Sequence, residues 1–480
     1  MYIHAHQSIP PTITARLIPV YADALEDALA RFSLPAALPF RANAQEHTVI
    51  YVGEQRTFLL GLGTSHDPRD LFRIFKRWMV HYREYLPKDL AIEGTDEPLL
   101  AHAVQGIALG RYHIPRTGHK QTIPEIDLTN LHFTLPDTTA LDRVLHISEA
   151  QMSAMTLVDT PANLLTPSIL VERVQESGRV HGYSVEVWGE QRVLDEGLQA
   201  LWSVSRGSVH EPYFVRAHYR PEGLPEDALR IALVGKGVTF DTGGISLKVT
   251  QSIQYMKTDM GGAAVMIGAM EAAARLGLPV ALDMILCICE NAIDARSIYP
   301  GDVIDSYSGQ TIEVLNTDAE GRLILADGLT YAARHLKPDV MIDAATLTGS
   351  CVRALGYDIA GIFSKNDALA EAVAASAATT GEAVWRLPLL DWHGKFLQSD
   401  VADIRNIANA DLAGASLAAK FLEAFTEEHP AWLHMDVAGV VFDSTPFSKE
   451  KSATGYGPYL LTHLIEQMIA QPERWKRATP

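Results

Sequence analysis

The chain has 480 residues, 47% hydrophobic and 20% charged, an ordinary balance for a globular protein with room for two domains. Its formal net charge of −18 argues against a general nucleic-acid binder, whose phosphate contacts need clustered Lys and Arg. No apolar run is long enough to span a bilayer and the start lacks a charged-then-apolar leader. Cys287, Cys289 and Cys351 make no disulfide framework, so the expectation is a soluble cytoplasmic protein.

Residues 1–136 are expected to form a smaller N-terminal α/β domain. Thr48–Val52 and Thr57–Leu62 read as strands and Asp70–Glu84 as a helix. No chemistry-bearing constellation is evident there, which suggests a regulatory or oligomer-supporting role. Leu141, Val144, Leu145, Ile147 and Met152 recur near a 3.6 period, so 137–158 is read as a connecting helix. Thr166 with Pro167 after it reads as an N-cap and first helical residue.

From 159 to 480 strands and helices alternate. Tyr183–Trp188, Ala200–Ser205, Tyr213–Tyr219, Ile231–Val234, Val280–Cys289 and Val340–Ala344 read as strands. Gly261–Leu276, Leu323–His335 and Ala413–Glu427 read as helices. The fold class is therefore α/β, with a mainly parallel or mixed sheet flanked by helices in the larger C-terminal domain.

Chemistry concentrates in Val234–Lys248 and in the octet Asn316-Thr-Asp-Ala-Glu-Gly-Arg-Leu323. A strand ending at Val234 and followed by glycines would place Lys236, Asp241 and Lys248 beyond a strand's carboxyl end, where open α/β sheets bind ligands. Asp259 stands just before the helix from Gly261; its simplest reading is a helix cap. In the octet, Asp318 and Glu320 are two apart and can converge in an extended or turning segment, where their repulsion favours a cation between them. Three aspartates and a glutamate with lysines suit hard or borderline divalent ions, and two such ions can lower the pKa of a shared water. One lysine could then be a ligand and the other an electrophile, against the ordinary alternative of solvated surface charge. The dinucleotide and phosphate-loop fingerprints, the HExxH zinc helix and the GxSxG elbow are all absent. Cys287 and Cys289 alternate on a strand and read as buried small hydrophobes.

These residues resemble the leucine aminopeptidase (cytosol aminopeptidase) family of metallopeptidases. The K-x4-D-x6-K-x10-D spacing from Lys236 to Asp259 and the octet carry the resemblance. Pro300–Val303, Ala345–Gly349 and His434–Gly439 extend it over roughly 157–480.

The resemblance implies an aminopeptidase with two divalent ions, Zn²⁺, Mn²⁺ or Mg²⁺. It assigns Lys236 and Asp259 to one ion, Asp318 to the other, and Asp241 and Glu320 to both. Lys248 would polarise the scissile carbonyl, and Arg322 would hold a bicarbonate acting as general base. A metal-bridging water would attack the first peptide carbonyl, with no covalent intermediate. Met256, Asn316, Thr346, Leu347, Gly349, Ala438 and Val441 map to the substrate pocket, whose small or apolar character fits leucine and similar first residues. Peptide substrates and a homohexamer are further implications.

Val249, where many members have proline, and Asn291–Tyr299 depart from the pattern without removing a ligand. The alternative is an inactive member serving as a structural or DNA-binding oligomer. The complete set of ligand positions and the acidic charge balance weigh against it.

Overall fold

The computed structural model describes residues 1–35, 38–94, 96–116, 126–249, 251–408 and 412–477. It contains two compact units. One comprises Met1–Met152 with Thr379–Gly381 and Pro446–Lys449, and the other Ser153–Ala378, Glu382–Thr445 and Glu450–Pro480. The division falls inside the helix Thr139–Asp159, on the stretch where the 3.6 period was read.

In the first unit six strands lie in the order Tyr2–Ala5, Asn130–Phe133, Asp89–Ile92, Ala15–Tyr21, Gln55–Gly63 and His47–Val52. All neighbours are parallel except the last two, which form a hairpin turning at Gly53-Glu54. The helix Pro68–Tyr82 starts where the Asp67 side chain accepts from the Arg69 N–H at 2.8 Å and Pro68 fills the first turn.

The second unit is built on eight strands. Their order is Val384–Arg386, Ala360–Phe363, Trp432–Asp436, Val340–Ala345, Arg230–Asp241, Ala281–Asn291, Tyr213–Tyr219 and Ser184–Trp188. The four strands from Trp432–Asp436 to Ala281–Asn291 run parallel, so their carboxyl ends meet at one edge. Antiparallel joins occur on both sides of this centre, so the sheet is mixed.

Strand alternation decides what each helix covers. A Cβ on Gly328 would meet Val234, Ile285 and Cys287, so these strand residues face the helix Glu320–Tyr331. A Cβ on Gly235 would meet Leu286 and Ala263, so that side faces the helix Gly261–Arg275. Leu323, Ile324, Leu325 and Leu329 join Val234, Ile285, Phe421 and Phe425 in one buried core. Cys287 and Cys289 are fully buried free thiols on the strand between them.

Four expectations change. Ala200–Ser205 is not a strand but part of the helix Gln199–Ser205, because a short apolar run does not fix its own period. The strand from Arg230 does not stop at Val234 but continues to Asp241. Its glycines permit close packing rather than a turn: a Cβ at Gly237 would stand 2.8 Å from the Cys287 carbonyl oxygen. The helix read from Leu323 begins at Glu320, so the octet runs from a turn into a helix. The helix read over Ala413–Glu427 is shorter, Gly414–Glu423.

Candidate metal centre

Lys236 lies on the Arg230–Asp241 strand, and its alternation points it at the first turn of the Glu320–Tyr331 helix. Its Nζ stands 2.8 Å from Asp259 Oδ1, 2.8 Å from Glu320 Oε1 and donates to the Thr346 carbonyl oxygen at 2.9 Å. Asp259 does not cap the following helix, whose N-cap is Met260; its Oδ1 instead also accepts from Thr346 Oγ1 at 2.9 Å.

Asp241 ends the same strand. Its Oδ1 accepts from the Gly243 N–H and from Asn291 Nδ2, both at 2.8 Å, and its Oδ2 lies 2.7 Å from Lys248 Nζ. The chain then turns sharply at Gly243 and Gly244, both with positive φ, which brings Lys248 back over the site. Thr317 locks that turn to the octet: its hydroxyl donates to the Gly243 carbonyl oxygen at 2.6 Å and accepts from the Ser246 N–H at 2.8 Å.

Among the described residues, ligand atoms of Asp241, Asp259 and Glu320 all lie within 4.8 Å of one another. Asp318 stands outside this trio and reaches it through its ion pair with Lys248. The two lysines differ in access: the Lys236 side chain is 3% exposed and that of Lys248 21%. Lys236 is thus sealed among carboxylates, and Lys248 is the more accessible amine.

Fully ionised, the four carboxylates and two ammoniums leave two negative charges in one buried place. The strain is visible in their acidities. Burial, then Glu320, pushes Asp241 up to about 6, and burial raises Asp259 well above and Asp318 above the carboxylate range. Burial works against the Lys236 ammonium, but Asp259, Glu320 and Asp241 outweigh it and hold the amine above its ordinary value. Burial also opposes the Glu320 carboxylate, yet Lys236 and Lys248 keep it below its ordinary value.

This donor set fits a divalent cation. Among the described residues, Asp259 Oδ2 and Glu320 Oε2 are buried without a hydrogen-bond partner, a costly state that a bound cation relieves. Carboxylate oxygens with one amine suit a hard or borderline ion, the amine serving once it has lost its proton.

Arg322 follows in the same helix and is buried. Its Nη1 donates to the Asn406 carbonyl oxygen at 2.7 Å, and among the described residues its Nε has no partner. Burial pushes it down to about 10, so at neutral pH it remains a cation and cannot be a base. A buried, unpartnered guanidinium N–H fits an anion's oxygen.

Of the pocket positions, Thr346 and Val441 converge on Gly261, where a Cβ would meet both side chains at 3.0 and 2.9 Å. Leu347 and Ala438 donate backbone N–H groups to the same Asp436 Oδ1, at 3.3 and 3.2 Å. Gly349 opens the helix Gly349–Leu355, and Met256 lies in the short helix Ile253–Thr258 that ends at Asp259. Asn316 is a turn former, its Oδ1 accepting from the Asp318 N–H at 2.8 Å.

Three residues support the site: Asn291 and Asp436, to which the sequence assigns no role, and Asn406, which it reads as structural. Asn291 orients Asp241 and also donates to the Thr317 carbonyl oxygen at 3.1 Å. Asn406 holds both sides of the octet: its Nδ2 donates to the Asn316 carbonyl oxygen at 2.7 Å and its carbonyl receives Arg322. Asp436 lies within His434–Gly439, a motif noted without a role. Asn291 had a signal too, a polar residue at the end of an apolar strand, but it was set aside as idiosyncratic.

Comparison with known proteins identifies the family. Residues 152–462 match the model of the cytosol aminopeptidase family, catalytic domain. A "Probable cytosol aminopeptidase" of Chlorobium phaeobacteroides is 46% identical over 321 residues, 67% of this chain and 63% of that protein. Another of that name, from Chlorobium luteolum, is 42% identical over 396 residues, 78% of this chain and 77% of that protein. The match to the first of these thus spans slightly less than two thirds of the relative's length. Among solved structures, the bottromycin maturation enzyme BotP in complex with Mn superposes with a TM-score of 0.84 at 29% identity, covering 95% of this chain and all of that one. The cytosol aminopeptidase from Coxiella burnetii gives a TM-score of 0.84 at 28% identity, covering 97% and 99%.

Proposed function

We propose, since this chain belongs to the cytosol aminopeptidase family, that it is a metal-dependent aminopeptidase removing leucine or similar apolar residues from peptide N-termini. The observation that carries this reading is the convergence of Lys236, Asp241, Asp259 and Glu320 with two buried carboxylate oxygens left unpartnered. The BotP neighbour, described in complex with Mn, supports a divalent ion.

Lys236, Asp241, Asp259, Asp318 and Glu320 would hold two ions, which supply Lewis acidity and a water of lowered pKa. Lys248, the more accessible amine, would donate to the scissile carbonyl oxygen and stabilise the negative charge that develops there. Asp241 and Asp318 hold that amine in place and keep it protonated. Arg322 would hold a bicarbonate, the anion supplying a base that the guanidinium cannot be.

Thr346 and Val441 with Met256, Leu347, Gly349 and Ala438 offer an apolar first-residue pocket. Such a pocket discriminates by only about 1–3 kcal/mol per methylene, so several apolar residues should be accepted. A cytoplasmic homohexamer, with the first unit in a regulatory or oligomer-supporting role, completes the proposal. Among the described residues no helix is long and apolar enough to cross a membrane.

The test is hydrolysis of a panel of aminoacyl-amides by metal-stripped protein refilled with Zn²⁺, Mn²⁺ or Mg²⁺. Activity should return with at least one ion and be greatest on Leu or Met amides. Silence with every ion would overturn the peptidase reading, and full activity in Glu320→Ala would overturn the site.

A further inference from the structure

We propose that His6 and His132, with His4 beside them, form a second cation site in the first unit, one for a borderline transition-metal ion such as Zn²⁺, Ni²⁺ or Cu²⁺. The residues lie 126 apart in sequence and meet only through strand pairing. Tyr2–Ala5 runs parallel to Asn130–Phe133, with His4 opposite His132, and the His6 N–H extends that ladder to the Phe133 carbonyl oxygen at 2.9 Å. His4 and His6, two apart along the edge, share a face with His132. The His4 and His132 rings stack with centroids 4.8 Å apart, and those of His6 and His132 with centroids 5.2 Å apart.

The hydrogen bonds fix where the lone pairs are. Asp89 Oδ1 lies 2.9 Å from His132 Nε2 and, as a carboxylate oxygen, can only accept. His132 Nε2 therefore carries the proton and Nδ1 the lone pair, and that Nδ1 faces His6 Nε2 at 2.9 Å. Asn130 Nδ2 donates to the same Asp89 oxygen at 2.9 Å, which turns its Oδ1 toward His4 Nε2 at 3.1 Å. His4 Nε2 is then the protonated nitrogen, and His4 Nδ1 also keeps a lone pair.

Two of the three imidazoles have a polar group behind them, a carboxylate for His132 and an amide for His4, the support that metal-ligating histidines characteristically have. Burial is the main reason the His132 pKa lies below the ordinary histidine value, which favours the neutral, ligating form.

Uptake needs little rearrangement. His6 moves its proton from Nε2 to Nδ1, and both facing nitrogens then direct lone pairs at one point. Metal–nitrogen bonds of about 2.0–2.1 Å require the pair to open by roughly half an ångström. Water completes the shell. Imidazole nitrogens select Zn²⁺, Ni²⁺ or Cu²⁺ over Mg²⁺.

The experiment titrates Ni²⁺ into the full-length, metal-stripped chain with excess Mg²⁺ present, by calorimetry, and records the paramagnetic resonance of bound Cu²⁺. Wild type should bind one equivalent of Ni²⁺ more than His6→Gln, and its Cu²⁺ spectrum should show imidazole nitrogen couplings that His6→Gln loses. Asp89→Asn should weaken that equivalent about 10–100-fold. His132 is buried and its replacement risks misfolding, so the partly exposed His6 decides the matter. Equal Ni²⁺ stoichiometry and affinity in wild type and His6→Gln, or Cu²⁺ spectra unchanged by the substitution, would overturn the proposal.

Discussion

Gly321 admits the amine of Lys236 to the first turn of the Glu320–Tyr331 helix: a Cβ at 321 would stand 2.6 Å from both Lys236 Cε and Nζ. That amine is fixed by Asp259, Glu320 and the Thr346 carbonyl, so it has nowhere to retreat without breaking those bonds. Gly321→Ala should cost about 1–3 kcal/mol in stability as overpacking. It should also lower metal affinity and turnover more than ten-fold. Urea unfolding and metal titration of the variant check this, and unchanged affinity would show that Lys236 is not held where its bonds suggest.

Asn291 touches Asp241 but is not a ligand. Asn291→Ala removes the donor at 2.8 Å from Asp241 Oδ1 and frees the carboxylate to rotate. Metal affinity should fall about 10–100-fold, the usual loss when such a supporting partner goes. Turnover at saturating metal should recover most of its wild-type value. Activity measured against metal concentration separates affinity from turnover, and a loss that excess metal does not relieve would contradict the positioning role.

Lys248 and Lys236 should fail differently. Lys248→Met removes the more accessible amine, so kcat should fall about 10²–10³-fold while bound metal stays near the wild-type amount. Lys236→Met should instead reduce bound metal. Elemental analysis alongside kinetics distinguishes the two, and equal metal loss in both would reverse the assignment of ligand and electrophile.

Asp327 lies in the helix Glu320–Tyr331, fully buried and away from the proposed metal ligands. Its Oδ2 accepts from the Leu201 N–H at 2.9 Å and its Oδ1 from the Tyr307 N–H at 2.8 Å. Burial pushes its pKa up to about 7, against an ordinary 3.8. A carboxyl raised on folding contributes stability that is complete below the unfolded value and is lost as pH rises through the folded one. Between pH 4 and 7 metal-free wild type should therefore lose up to about 1.4 kcal/mol per pH unit relative to Asp327→Asn. Urea unfolding of both proteins across that window measures the difference in slope, and parallel slopes would mean that Asp327 stays ionised in the folded chain.

The helices and strands with a sustained period were legible in the sequence. Thr139–Asp159 and Pro68–Tyr82 lie on the stretches that their apolar spacing marked. Gln199–Ser205 was misread because seven residues carry too few turns to show a period. The strand end at Val234 was misread because glycine was taken as a signal for turning, whereas here it allows backbones and side chains to approach.

What the sequence determined by itself was the chemical inventory. Lys236, Asp241, Lys248 and Asp259 at fixed spacing, followed by Asp318, Glu320 and Arg322, restrict the chemistry because few arrangements tolerate so much like charge. Tertiary structure decided how that charge is shared. Only the packed sheet seals Lys236 at 3% exposure and leaves Lys248 at 21%, which gives two identical side chains different access to solvent. It alone recruits Asn291 and Asn406 to the carboxylates and the arginine, and brings His6 to His132. Burial and hydrogen-bond reach depend on neighbours far apart along the chain, and strand register brings those neighbours together.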